Sequence, residues 1–199
     1  MPPMSAPSPH TLALERALAG VDACTRCPLC ETRVNVVPGS GSPDAEVMFV
    51  GEAPGATEDA AGEPFAGAAG KRLDSLLGVA GLSRDDVYIA NILKCRPPKN
   101  RDPRPQEVRA CTPWLTAQIA AVDPRVLVGL GNFATRFLLD TDEGITDLRG
   151  RVHVPDSPTA PAASRQVLPM FHPAAAIYDP KKAPVLESDF RLLAQLLAS

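Results

Sequence analysis

The amino-acid sequence predicts an α/β protein, a three-layer α/β/α sandwich around a central four-stranded, mostly parallel sheet. Three observations carry that prediction. Four short runs, at 46–50, 87–93, 125–131 and 166–172, are apolar nearly throughout, as strands covered on both faces are. Between them lie stretches with helical apolar spacing, and strands alternating with helices favour a parallel sheet. Glu52, Asn91, Gly131 and His172 each fall near or just past the C-terminal end of one run. Open parallel sheets bind their ligands at that edge.

The elements follow in order. Residues 1–9, "MPPMSAPSP", read as a disordered Pro/Ser-rich leader without the apolar h-region of a secretory signal. Residues 10–199 read as one domain, a usual size. "HTLALERALAG" (10–20) is the first helical stretch and "EVMFV" (46–50) the first strand. "GKRLDSLLGVAGL" (70–82) lines one face with Leu73, Leu76, Leu77 and Ala80. "VYIANIL" (87–93) is the second strand, followed by the helix "QEVRACTPWLTAQIAAV" (106–122). "RVLVGLG" (125–131) leads into "NFATRFLL" (132–139), and "QVLPMFH" (166–172) precedes the closing helix "ESDFRLLAQLLA" (187–198). The polar, Pro-rich "HVPDSPTAPAASR" (153–165) reads as an exposed loop.

The segment "GEAPGATEDAAGEPFAGAAG" (51–70) is unusual, with seven Gly and Pro residues, four carboxylates and one Phe in twenty positions. A connecting loop needs one or two Gly or Pro residues. This one reads as built to hold a ligand.

A net charge of −3 over 199 residues advertises no polyanion partner, although a local basic patch can act where the total does not. No apolar run approaches the ~20 residues that span a bilayer. A cytoplasmic protein is expected, in which five cysteines serve metal binding or reactivity rather than disulfides. "CTRCPLC" supplies Cys24, Cys27 and Cys30, and Cys95 and Cys111 follow later. Two thiolates at CxxC spacing can chelate one centre that Cys95 and Cys111 would complete. The alternative treats Cys95 and Cys111 as small buried residues, with "CTRC" a redox pair or a zinc half-site. Spacing alone leaves both open, and leaves zinc against iron–sulfur open too.

"KCRPPKNRDPRP" (94–105) carries Lys94, Arg96, Lys99, Arg101 and Arg104 against one acid, Asp102, and four prolines stiffen it. Such a run is usually a solvated face. Its position at the ligand edge makes a phosphate contact credible. In "FHPAAAIYDPKK" (171–182), His172 stands at a strand end before Pro173, where a neutral imidazole can donate to developing negative charge. His10 and His153 read as structural.

Six ordered motifs, "CTRC" upstream of "PGSGSPDA", "GEAPGATEDAAGEPFAGAAG", "NILKCRPPKNRDP", Cys111, "LGNFAT" and "MFHPAA", give a chain that from about residue 20 to 198 resembles the family 4 uracil-DNA glycosylases. The resemblance implies a repair enzyme that flips uracil out of single- or double-stranded DNA and hydrolyses its N-glycosidic bond with water. It implies a 4Fe–4S cluster on Cys24, Cys27, Cys95 and Cys111, with Cys30 left over. Glu52 would position the water and stabilise the sugar cation, and His172 would stabilise the departing uracil anion. Phe65 would stack on the base, Asn91 would pair with its edge, and the backbone of residues 51–55, Gly51 and Ala53 among them, would line the floor. Glu58 and Asp59 are rival acids, read as capping residues or partners of the basic loop. Tyr178 stands where the family often has a basic residue, which implies a DNA contact either lost or replaced by Lys181 and Lys182. A monomer working on DNA, nucleoid-associated in a prokaryote and without a membrane partner, follows.

Two other readings compete. "GLGNFA" (129–134) fits the GxGxxG/A of nucleotide-binding α/β enzymes, without the expected acidic residue about 20 positions on. A non-catalytic, metal-containing DNA-binding module would explain the cysteines and the basic loop.

Overall fold

The computed structural model describes residues 6–157 and 159–199. Its strands are β1 (Ser40–Gly41), β2 (Val47–Gly51), β3 (Tyr88–Asn91), β4 (Val126–Leu130) and β5 (Gln166–Met170). They lie in the order β1-β3-β2-β4-β5. β2 pairs in parallel with both β3 and β4, and β4 with β5. The four predicted strands therefore form the parallel core of the sheet. The fifth, β1, runs antiparallel to β3. Two residues, one of them glycine, carry no strand signal, so the expected count of four becomes five.

The helices are α1 (Pro9–Leu18), α2 (Ala56–Ala61), α3 (Ala68–Val79), α4 (Pro105–Val122), α5 (Asn132–Leu139), α6 (Ile145–Leu148), α7 (Ala175–Tyr178) and α8 (Ala183–Leu197). The strand period of two sorts the core into two layers. Val47, Phe49, Val126 and Val128 face Leu73, Leu76 and Leu77 of α3 and Leu186, Phe190 and Leu193 of α8. Met48, Val50, Tyr88 and Leu127 face Leu115, Ile119 and Val122 of α4 and Ala134 and Leu138 of α5. A three-layer α/β/α sandwich results. Both faces of β2 and β4 are buried, which is why their sequences do not alternate.

Some local expectations need correction. The leader gives way at Ser8, whose side chain caps α1 and also donates to Asp44; residues 1–5 lie outside the described residues. The 153–165 segment is not simply an exposed loop. His153 exchanges backbone hydrogen bonds with Val167, and Ala160 and Ala162 are buried. Small alanines among the prolines let the segment fold onto the sheet edge. His10 and His153 are structural, with ring nitrogens on the carbonyls of Ala121 and Leu148.

Candidate active site

β2 ends at Gly51 and the chain turns sharply into the acidic segment. A Cβ at Gly51 would collide with Asn91 Oδ1 and stand 3.1 Å from Phe65 Cζ, so only glycine leaves the floor open there. Beyond β3 the chain stays registered with β2, because Ile92 and Leu93 donate to the carbonyls of Gly51 and Glu52. This fixes Asn91 beside Gly51.

Phe65 is held more elaborately. Its φ of 54° is unusual for a non-glycine residue and strained for a bulky one. Arg84 maintains it, donating to Phe65 O at 2.7 Å and Pro64 O at 3.2 Å while its Nε pairs with Asp74 at 2.6 Å. Gly70 makes room, since a Cβ there would overlap the Phe65 carbonyl. Sequence reasoning missed Arg84; it lies in "LSRDD", remote from every motif, and no local pattern marks it.

The ring so placed lies 5.4 Å from the His172 imidazole, centroid to centroid, with the planes 24° apart. Gly131, at φ 89°, keeps the neighbouring strand end clear of His172, whose Cβ would stand 3.3 Å from a Cβ at 131. Gly129 packs more closely still, a Cβ there standing 2.9 Å from Thr135 Oγ1 of α5. The glycines of "GLGNFA" are thus accounted for by packing, without a nucleotide.

Glu52, Ala53, Phe65, Asn91 and His172 line one cavity of about 290 Å³, with Pro54 and Glu58. Five of the six residues expected to read or cut the substrate therefore meet in one place, with the sixth, Gly51, beneath them. A larger cleft of about 1030 Å³ runs past Arg136, Asn132 and Asp102, and it too is walled by Glu52 and His172. The acid and the imidazole stand where the small cavity meets the large one.

Electrostatics differ between the two. Burial, helped by the nearby Asp102 carboxylate, raises the Glu52 pKa above its usual 4.5. Burial pushes the His172 pKa down to about 4, with Glu58 opposing the shift. The ring is therefore neutral at neutral pH. The backbone N–H of Ala174 donates to His172 Nδ1 at 3.2 Å. A neutral imidazole that accepts at Nδ1 carries its proton on Nε2 and can donate from there.

Glu58 and Asp59 accept from backbone N–H groups rather than pairing with the basic residues. Glu58 accepts from Gly67 N at 2.9 Å, and buried Asp59 accepts from Val34 N at 2.9 Å. Of the five basic residues expected to meet DNA, two need correction. Lys94 is buried, with Nζ donating to Asn91 O at 2.7 Å and its pKa lowered to about 7 by desolvation. It cannot reach a phosphate. Arg101 forms a two-pronged pair with buried Glu107, at 2.9 and 2.6 Å, and lines the small cavity. Lys99 and Arg104 remain exposed and Arg96 half-exposed. The apolar flanks of Lys94 and the acid three residues into α4 were the signals available in the sequence.

Cys24, Cys27, Cys95 and Cys111 line a separate small cavity, with Arg26, Arg33, Lys94 and Trp114. Cys30 does not line it. Arg33 Nη1 lies 3.3 Å from Cys95 Sγ, and the Lys94 backbone N–H donates to Cys111 Sγ at 3.2 Å. Burial raises the thiol pKa of Cys27, Cys95 and Cys111, the last to about 11. No three His, Cys, Asp or Glu side chains among the described residues gather closely enough to share a single ion.

Residues 38–195 match the family profile of the Uracil DNA glycosylase superfamily. The chain belongs to that superfamily. It is 43% identical over 189 residues to the Type-4 uracil-DNA glycosylase of Sulfurisphaera tokodaii, which covers 92% of this chain and 84% of that protein. The Type-4 uracil-DNA glycosylase of Archaeoglobus fulgidus is 43% identical over 188 residues, 92% of this chain and 93% of its own length. That of Thermotoga maritima is 46% identical over 155 residues, 77% of this chain and 78% of its own. In this superfamily member Glu52 directly follows β2 and His172 lies just past β5, and the matched span contains both.

Proposed function

We propose that this superfamily member is a monomeric DNA-repair glycosylase that extrudes uracil from DNA and hydrolyses its N-glycosidic bond, leaving an abasic site. One observation carries the reading: Glu52 and Phe65 of the 51–70 segment, Asn91 of β3 and His172 past β5, from three separate segments, converge on one cavity sized for a single small heterocycle. The relatives' names support the substrate. Incubating the protein with an oligonucleotide bearing one uracil, followed by alkaline treatment, is expected to cut the strand at that position. An intact strand would refute it.

A flipped base enters the small cavity and its sugar stays at the junction with the large cleft. Phe65 offers a face for stacking, and its strained backbone is held by Arg84. The Asn91 amide makes no protein hydrogen bond among the described residues and pairs with O4 and N3–H of uracil. Cytosine would set an amino donor against the amide donor, a mismatch of about 1–3 kcal/mol for the buried group left unpaired. Asn91→Asp is accordingly expected to relax selection toward cytosine. Unchanged rejection, measured as the ratio of kcat/KM on the two bases, would count against this role.

As the bond breaks, positive charge grows on the deoxyribose and negative charge on uracil. The Glu52 carboxylate faces the first, orienting a water and taking its proton, and Nε2–H of His172 donates to uracil O2. Glu52 acts ionised, so activity should fall as pH drops through its raised pKa, above the usual carboxylate range. His172, already neutral well above pH 4, adds no limb near pH 6 or 7. Asp102→Asn removes one cause of the Glu52 shift and is expected to move the acid limb of kcat/KM to lower pH. An unmoved limb would assign it to another group.

Cys24, Cys27, Cys95 and Cys111 would hold a 4Fe–4S cluster. Their spread around one cavity, and the N–H groups already aimed at two of the sulfurs, fit that group. Thiols raised by burial need a cationic centre to ionise. Bound there, the cluster supplies a cross-link among the N-terminal segment, the β3–α4 loop and α4, and no electron. Purified protein is expected to be brown, with about four irons per chain as that cluster type requires; fully active, zinc-loaded, colourless protein would remove the assignment. Arg96, Lys99 and Arg104, in the loop whose Pro97, Asn100 and Arg101 line the small cavity, are the phosphate contacts of this reading, and DNA locates its work, in the nucleoid of a prokaryote. Among the described residues no helix is long and apolar enough to cross a membrane.

A further inference from the structure

The four-cysteine cavity has a fifth wall with unexplained chemistry. Trp114, on α4 three residues past Cys111, lines it. The side chain is buried, and its Nε1–H is buried with no acceptor among the described residues. An indole nitrogen can only donate, and buried donors without partners are rare, so an unpaired one marks a missing acceptor. The surroundings narrow what that acceptor is. Apart from Val21, Ala110 and Lys94 the rest of the cavity is lined by four thiols and two arginines, and Arg33 and the Lys94 amide already donate to Cys95 and Cys111. Arg26 lies over the indole face, 4.5 Å from the ring centroid, and holds it in place.

We infer that the Trp114 indole N–H donates a hydrogen bond to a sulfur of the centre held by Cys24, Cys27, Cys95 and Cys111. The inference rests on the iron–sulfur reading above. Trp114 is a positioning and tuning residue, outside the glycosidic chemistry. With the Arg33 guanidinium and the Lys94 amide it makes a three-sided shell of donors. Such bonds draw electron density from the sulfurs and raise the reduction potential of the centre.

Trp114 is the chain's only tryptophan, so labelling the indole nitrogen with ¹⁵N marks one site. In iron-loaded wild-type protein brought to its paramagnetic state, pulsed electron–nuclear spectroscopy is expected to detect a coupling to that nitrogen. W114F keeps an aromatic ring and removes the N–H. Its centre is expected to keep its iron and its visible absorption, to shift to a more negative midpoint potential, and to show altered Fe–S stretching frequencies. Full iron content with no ¹⁵N coupling overturns the bond, as does a W114F potential equal to wild type. If W114F does not load iron, the labelled wild type decides alone. Iron and sulfide analysis of wild type separates the two levels, because protein without iron removes the centre itself.

Discussion

Glu52→Gln is expected to slow single-turnover release of uracil by about 10²–10⁴-fold, the usual worth of a positioned general base, with binding of uracil-containing DNA retained. The substitution keeps size and polarity and removes the negative charge. Glu52 stands at the junction of the two cavities, half-buried, beyond a glycine that anchors the floor. A carboxylate there meets growing positive charge in a setting poor in water, where its field is least screened. Gln can still orient a water but cannot accept its proton. A variant that released uracil at the wild-type rate would transfer the acid role to Glu58, the other carboxylate lining the small cavity.

His172→Ala is expected to lower the rate of the chemical step by about 10²–10³-fold, the effect of losing one donor to a developing oxyanion. Binding should weaken far less, since ground-state uracil carries no full charge. A neutral imidazole in this position is already a donor at neutral pH and needs no protonation to act. Desolvation keeps the proton off Nδ1, and the Ala174 N–H occupies that nitrogen, so the donor faces outward from Nε2 without repositioning. A non-catalytic DNA-binding module predicts neither loss, because it has no rate to lose. Equal, measurable kcat in His172→Ala and wild type would assign the stabilising role to another group, and no measurable kcat in either would favour the module.

The parts of this molecule that were legible in the sequence are those governed by short-range rules. β2 and β4 lie buried on both faces, which left near-continuous apolar runs, and α5 fell at 132–139 as its periodicity required. Placement of Glu52, Asn91 and His172 at strand ends followed from topology alone. What escaped were features that depend on contacts distant in sequence. β1 exists only because Ser40 and Gly41 pair with Ile89 and Tyr88. The Phe65 strain is held by Arg84, 19 residues away. Lys94 and Arg101 read as surface cations, yet one curls back onto Asn91 O and the other is taken by Glu107. Charge alone does not distinguish a solvent-facing lysine from one whose stem and ammonium are both enclosed. Trp114 drew no notice either, since an orphaned donor can be recognised only once burial is known.

The claim on which everything turns is that one small cavity grips the base while the acid and the imidazole flank its bond to the sugar. A crystal structure of the protein with uracil bound tests it most directly. The base is expected against Phe65, with O4 and N3–H on the Asn91 amide, O2 within reach of His172 Nε2, and N1 turned toward Glu52. Uracil found in the larger cleft, or bound with Asn91 unengaged, would contradict the account.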